Sequence, residues 1–217
     1  MKQRPILFST PMVQAIRKGT KKQTRRIVNP QPTKGLHTFI SPSTVLDGSD
    51  RTTWIYSDKE SSNCIEVKCP YGQPGDVLWV RETWFSTRFD CNELLDCGIT
   101  SHIRFKADNN YDPKKDCIGR SWKPSIHMPK SAARIWLKIT NVRLEQLQDI
   151  SRDDARAEGI ERDPVSKTRY KNYVDGTTTY NERTSFYSLW ESINGEESLL
   201  SNPFVWVIEF EEIEKPD

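Results

Sequence analysis

Six cations fall within ten residues near the start of the chain: Arg17, Lys18, Lys21, Lys22, Arg25 and Arg26. Such a run is ordinarily a solvated face; its functional alternative is contact with phosphates. The formal net charge of the whole chain is only +2, so any attraction to nucleic acid has to come from this local cluster. Thr24 sits inside the run. A threonine hydroxyl is a poor nucleophile until a base takes its proton, and a lysine acts as that base only when burial or neighbouring cations depress its pKa. Lys22, Arg25 and Arg26 are close enough in sequence to Lys21 to supply such a field, provided solvent and salt do not screen it.

A carboxylate with no evident local reason to be where it is marks a second candidate. Glu158 falls in the last turn of a short helix that ends at Gly159, where a negative charge faces the negative helix end at a cost of about 0.3–1 kcal/mol. A compensating partner has to be sought for it. Glu82 directly follows an apolar strand, and Lys123, Ser125 and His127 share a loop bracketed by Pro124 and Pro129. Each has a plain structural reading, His127 as a packed or capping residue and Glu82 as half of an ion pair with Arg81. Trp84 and Trp122 are large enough to stack on a base, worth roughly 1–3 kcal/mol per base, although aromatic residues more often fill a core. The five cysteines, Cys64, Cys69, Cys91, Cys97 and Cys117, form no paired C-x-x-C knuckle and have no histidine at ligand spacing, so no metal site is expected. Nothing matches a P-loop or dinucleotide fingerprint, and no cofactor is expected.

The elements that must position these residues follow from pattern. A short strand at Ile6 to Phe8 leads through Thr10-Pro11, read as N-cap and first helical residue, into a helix carrying Met12, Val13, Ala15 and Ile16 and stopping at Gly19. The piece from Lys21 to Val28 is predicted extended. In an ideal strand Lys21 and Thr24 point to opposite faces, so bringing them together needs a bulge or irregular backbone just after Gly19. Residues 29–70 read as an insertion with a hairpin between Trp54 to Tyr56 and Ile65 to Lys68. Pro74-Gly75-Asp76 is a turn into the strand Val77 to Arg81. A strand at His102 to Lys106, loops at Cys91 to Gly98 and Asn109 to Gly119, and an extended, fixed loop from Trp122 to Pro129 follow. Ala133 to Leu144 alternates as a long strand, Ser151 with Asp154 resembles a capping box, and Phe204 to Ile213 closes the chain as a strand. Between Asn181 and Asn194, Phe186, Leu189, Trp190 and Ile193 fall at i, i+3, i+4 and i+7, predicting a helix with a core-facing stripe.

Four stretches in this order resemble the ASCH family of PUA-like proteins: Gly19-Thr20-Lys21-Lys22-Gln23-Thr24-Arg25-Arg26 after the first helix, Pro74-Gly75-Asp76 with its strand, the Ile150 to Gly159 helix, and Val205-Trp206-Val207-Ile208-Glu209-Phe210. Val80-Arg81-Glu82-Thr83-Trp84 together with Trp122-Lys123-Pro124-Ser125-Ile126-His127-Met128-Pro129 is similar to the larger ASCH-type proteins of phages and prophages. The resemblance implies an α+β fold built on a small twisted barrel, with flanking helices and insertions at about 29–70 and 86–121 in one domain spanning 1–217. It also implies a hydrolase that removes an acyl group from a modified nucleobase, as the family's small N4-acetylcytidine amidohydrolases do. Lys21, Thr24 and Glu158 would be its catalytic residues, with Arg26, Glu82, Trp84, Trp122, Lys123, Ser125 and His127 binding substrate. The chain departs from those small enzymes in its two insertions, which implies a larger or different substrate. A binding module for RNA or a modified base and a metal-independent ribonuclease using Lys21, Ser125 and a tyrosine are the alternatives. The expected partner is a modified nucleoside or RNA. No stretch approaches the roughly 20 apolar residues of a membrane span and the N-terminus lacks a signal core, so a cytoplasmic location is expected.

Overall fold

The computed structural model describes residues 1–31, 36–40, 53–58, 64–86, 103–108 and 121–216, with the backbone alone for 36–40, 53–58 and 64–67. The loops expected at Cys91 to Gly98 and Asn109 to Gly119 lie outside the described residues. In chain order the elements are β1 (Gln3–Leu7), α1 (Thr10–Arg17), β2 (Gln23–Ile27), β3 (Leu36–Ile40), β4 (Thr53–Asp58), β5 (Cys64–Lys68), β6 (Val77–Arg81), β7 (Trp84–Ser86) and β8 (Ile103–Phe105). They continue with β9 (Trp136–Gln146), α2 (Arg152–Ala157), β10 (Tyr170–Lys171), β11 (Thr178–Thr179), α3 (Glu182–Asn194), α4 (Glu196–Leu200) and β12 (Phe204–Ile213).

Five strands form the central mixed sheet in the order β1-β6-β9-β12-β2; β1 runs parallel to β6 and the other pairs are antiparallel. Alternation along β12 puts its side chains on two faces. Trp206, Ile208 and Phe210 join Ile6, Phe8, Val13, Ile16, Leu78, Val80, Leu137 and Ile139 in one core, which α1 covers. Val205 and Val207 point the other way and pack with Ala155, Ile160, Tyr170, Phe186 and Trp190, under α2 and α3. The result is a mixed α+β architecture with helices on both faces of the sheet. Among the described residues the sheet does not close into a barrel.

The first expected insertion contains the three-stranded meander β3-β4-β5, in which Trp54 pairs with Val67 and Tyr56 with Ile65, as the predicted hairpin requires. Within the second, β8 pairs with β7, and the 3-10 turn Lys106–Asp108 docks on α1 through the Gln14 Nε2 bond to the Ala107 carbonyl, 3.0 Å. The proline-bracketed loop is not fully extended: Ser125–His127 make one 3-10 turn, closed by the Met128 N–H on the Ser125 carbonyl. Proline at 124 and 129 removes donors without preventing a single turn between them. The N-cap of α1 is Ser9, one residue earlier than expected, with Pro11 in the first turn. No helix among the described residues is long and apolar enough to cross a membrane.

Candidate active site

The backbone between α1 and β2 is irregular, and that irregularity assembles the site. Gly19 adopts φ +70, and the Thr20 and Lys21 N–H groups both turn back onto the Ala15 carbonyl at 3.0 and 3.1 Å. Regular pairing with β12 begins only at Gln23, so Lys21 lies outside the strand and the alternation that would separate it from Thr24 does not apply. Lys21 instead forms an isolated antiparallel bridge with Glu158, reinforced by Lys22 N–H donating to the Ala157 carbonyl at 2.8 Å.

The approach of these two segments depends on Gly159. At φ +84 it suits a residue without a Cβ, and a Cβ built there would stand 2.9 Å from that of Lys21 and 3.1 Å from that of Ala15. With nothing in the way, the Lys21 ammonium donates to the Glu158 carboxylate Oε2 and to the Glu158 backbone carbonyl, both at 2.8 Å. The second bond satisfies a carbonyl that the end of α2 would leave orphaned. Arg25 donates to the other carboxylate oxygen of Glu158 at 3.0 Å and reaches Glu145 at 3.1 Å. This is the compensation the helix-end carboxylate required. Ser151 accepts from the Asp154 N–H as a capping box would have it, but the Asp154 carboxylate turns to Arg143 at 2.9 Å and does not close the box.

Lys21 is 3% exposed and Glu158 5%, so the pair is effectively out of water. Burial pulls the Lys21 ammonium below the ordinary lysine pKa; contact with Glu158 opposes that shift, and the Arg26 and Arg25 charges add to it. The cations that depress Lys21 are therefore Arg25 and Arg26; Lys22 is exposed and faces away from this role. Half of the basic run points inward, contrary to a solvated face. Arg26 and Lys21 also sit over the Phe8 ring, at 5.3 and 5.9 Å from its centroid.

Lys21, Thr24, Arg25, Arg26 and Glu158 line one chamber of about 80 Å³, closed by Met12, Ile27 and the α3 residues Phe186, Leu189, Trp190 and Ile193. Its neighbour is a groove of about 770 Å³ between α1, the end of α2 and the β10-β11 hairpin, which shares Met12, Glu158, Leu189 and Ile193 with it. The Arg26 Nε is buried without an acceptor among the described residues. Ile193 is 54% exposed and faces these spaces, so the predicted apolar stripe of α3 is core only as far as Trp190.

The structure brings Lys21, Thr24, Glu158 and Arg26 to one chamber, and its apolar wall of Met12, Leu189 and Ile193 was not among the site residues singled out from the sequence. The i, i+7 spacing of Ile193 was the available signal, and it carries no information on which apolar residue is left uncovered.

The remaining candidates lie elsewhere, and none lines the chamber or the groove. Glu82 is an ion-pair residue, but its partner is Arg134, which donates to both carboxylate oxygens at 2.8 and 3.0 Å and to both oxygens of Asp108 at 2.9 Å. Arg81 instead donates to the Met128 and Ile126 carbonyls. Burial raises the Glu82 pKa and Arg134 opposes the rise. Trp84 packs in a small core with Phe105, Met128 and Ala132, with the Lys123 ammonium 5.2 Å from its ring. Trp122 and Ser125 are half-buried, while Lys123 and His127 are exposed. Cys69 is a buried free thiol with its pKa pushed up to about 11, the behaviour of a packing residue. Among the described residues no group of three or more His, Cys, Asp or Glu is placed to hold a metal ion.

Compared with known proteins, no family model matches the chain, and no curated protein or solved structure matches it.

Proposed function

We propose that this chain is an ASCH-type, PUA-like hydrolase that removes an acyl group from the exocyclic nitrogen of a modified cytosine, acting in the cytoplasm. The observation that carries the reading is the convergence of Lys21, Thr24 and Glu158 on one chamber, with the lysine buried and its pKa lowered. The mixed sheet covered by helices on both faces is compatible with it at the level of α+β architecture.

In this mechanism the neutral Lys21 amine takes the Thr24 proton as the hydroxyl oxygen attacks the acyl carbon. The orphaned Arg26 Nε–H is the donor assigned to the oxyanion that develops. Collapse breaks the bond from acyl carbon to exocyclic nitrogen, and the Lys21 ammonium returns the proton to the leaving amine. Water, deprotonated by the same lysine, then hydrolyses the threonyl ester, releasing the carboxylic acid and restoring the enzyme. Glu158 is the positioning residue. Both of its oxygens already accept from cations, which leaves its remaining lone pairs for the substrate amine.

The experiment is incubation with N4-acetylcytidine, following cytidine and acetate by chromatography. Release is expected from the wild type and none from Lys21→Ala or Thr24→Ala, both judged folded by circular dichroism. Turnover that persists in both variants would sink the assignment.

A further inference from the structure

The groove shares four lining residues with the chamber, but Lys21 and Thr24 are not among them. The attacking hydroxyl is thus in the chamber, and the carbonyl it attacks has to be brought there. At about 80 Å³ the chamber lies well below the roughly 300–1,000 Å³ of pockets that enclose whole small molecules, whereas the groove, at about 770 Å³, lies within that range. Only the acyl end of a substrate enters the first, so the amine half occupies the second.

Charge indicates what that amine half carries. Lys18, Arg156, Arg162 and Lys171 line the groove against the carboxylates Glu158 and Glu161. Glu158 is neutralised by Lys21 and Arg25, Arg156 is paired with Asp153 and Glu182, and Lys171 with Glu161. Lys18 and Arg162 remain. Both are exposed, and neither has an ion-pair partner among the described residues; the Arg162 guanidinium is held only against the Tyr170 ring, 5.6 Å from its centroid. A guanidinium with free forked donors and an ammonium lining the same groove are suited to a phosphate.

We infer that the groove is the subsite of the leaving amine, and that Lys18 and Arg162 hold a phosphate on it, so that a phosphorylated cytidine is preferred to the free nucleoside. The inference rests on the amide-hydrolase reading of the chamber. The phosphate has two sources of the same chemistry, the 5′-monophosphate of a nucleotide and the backbone of an RNA strand.

Binding of the product half tests this apart from turnover. Calorimetry compares cytidine, cytidine 5′-monophosphate and a cytidine-containing trinucleotide without terminal phosphate, using the full chain as wild type, Lys18→Ala, Arg162→Ala and the double variant, at low and high salt. The monophosphate is expected to bind about tenfold more tightly than cytidine, with the ratio falling toward one in the double variant and at high salt. Trinucleotide binding tighter than the monophosphate, with the same dependence on Lys18 and Arg162, assigns the phosphate to RNA; weaker binding assigns it to a free nucleotide. Equal affinity for cytidine and its monophosphate, no binding of either, or a preference that survives the double substitution overturns the inference, whatever happens to acetylcytidine. A preference that is intact in a protein that releases no acetate overturns the hydrolase reading and leaves the phosphate subsite standing.

Discussion

Lys21 carries two opposed demands. It is held as an ammonium by Glu158, yet the proposed hydrolysis requires it as a free amine, and burial together with Arg25 and Arg26 decides the balance by drawing its pKa below the ordinary 10.5. The rate should therefore rise with pH on a limb centred below 10.5, and kcat/KM measured across that range is the check. Lys21→Arg, which has no neutral form in the accessible range, should lose both the rate and the limb. Stability follows the same group with a definite sign. Between the lowered folded value and 10.5 the unfolded chain binds the extra proton, so the contribution of Lys21 to stability becomes more favourable as pH rises through that window. At this scale the sequence was informative about residue identity and silent about partners. Glu158 stood out by its position at a helix end, and Lys21 and Thr24 by their resemblance to the ASCH motif, but nothing in a linear pattern says that Arg25 shares Glu158 with Lys21, or that Glu82 turns to Arg134, 52 residues away, and not to its neighbour Arg81.

The decisive element is the junction where the end of α2 meets the turn after α1. Gly159 makes it possible, being both left-handed and in contact range of Lys21 and Ala15. Gly159→Ala should cost about 2–4 kcal/mol, from backbone strain plus overpacking, read as a shift in the urea midpoint at unchanged slope. Activity should fall further than stability accounts for, because the added methyl displaces the Lys21 backbone itself. The strands β9 and β12 and the helix α3 were legible from periodicity, since each buries a regular face. The junction was not. Strand alternation was the wrong rule from Gly19 to Lys22, and only the expected irregularity after the glycine pointed toward the observed arrangement. Trp84 was ambiguous for a related reason: its size suits stacking and packing equally, and its burial with Phe105 and Met128 is a matter of tertiary contact.

Across the whole molecule, the second ionic network ties three distant parts together. Arg134 joins Glu82 at the end of β6 to Asp108 in the segment following β8, and Asp108 also receives Arg17 from α1. Glu82 is 1% exposed, so removing its partner leaves a buried charge. Arg134→Ala should destabilise the protein by about 2–4 kcal/mol, the lower part of the range reflecting the partial exposure of Arg134. Adding Glu82→Leu to it should recover part of that loss, and denaturant titration of the single and double variants decides the matter. No recovery would mean that the arginine acts through packing over Phe105, 3.9 Å from its ring centroid, and not through its charge. The alternation of β12 and the apolar stripe of α3 are visible in the sequence, whereas the second core layer through Val205 and Val207 and the groove between α1 and the β10-β11 hairpin appear only once elements far apart in sequence are side by side.

The bonds from Lys21 to Glu158 span 137 positions of the chain. Neither the amino-terminal segment with its lysine and threonine nor the later helix with its carboxylate holds a working constellation alone. During synthesis or refolding the ammonium has no counter-charge until the two have met, and closing so long a loop is entropically costly and late. Completion of the proposed site is thus a reporter of finished long-range assembly: a chain that has formed α1 and β2 but not yet docked α2 would be structured and, on the proposed reading, inert.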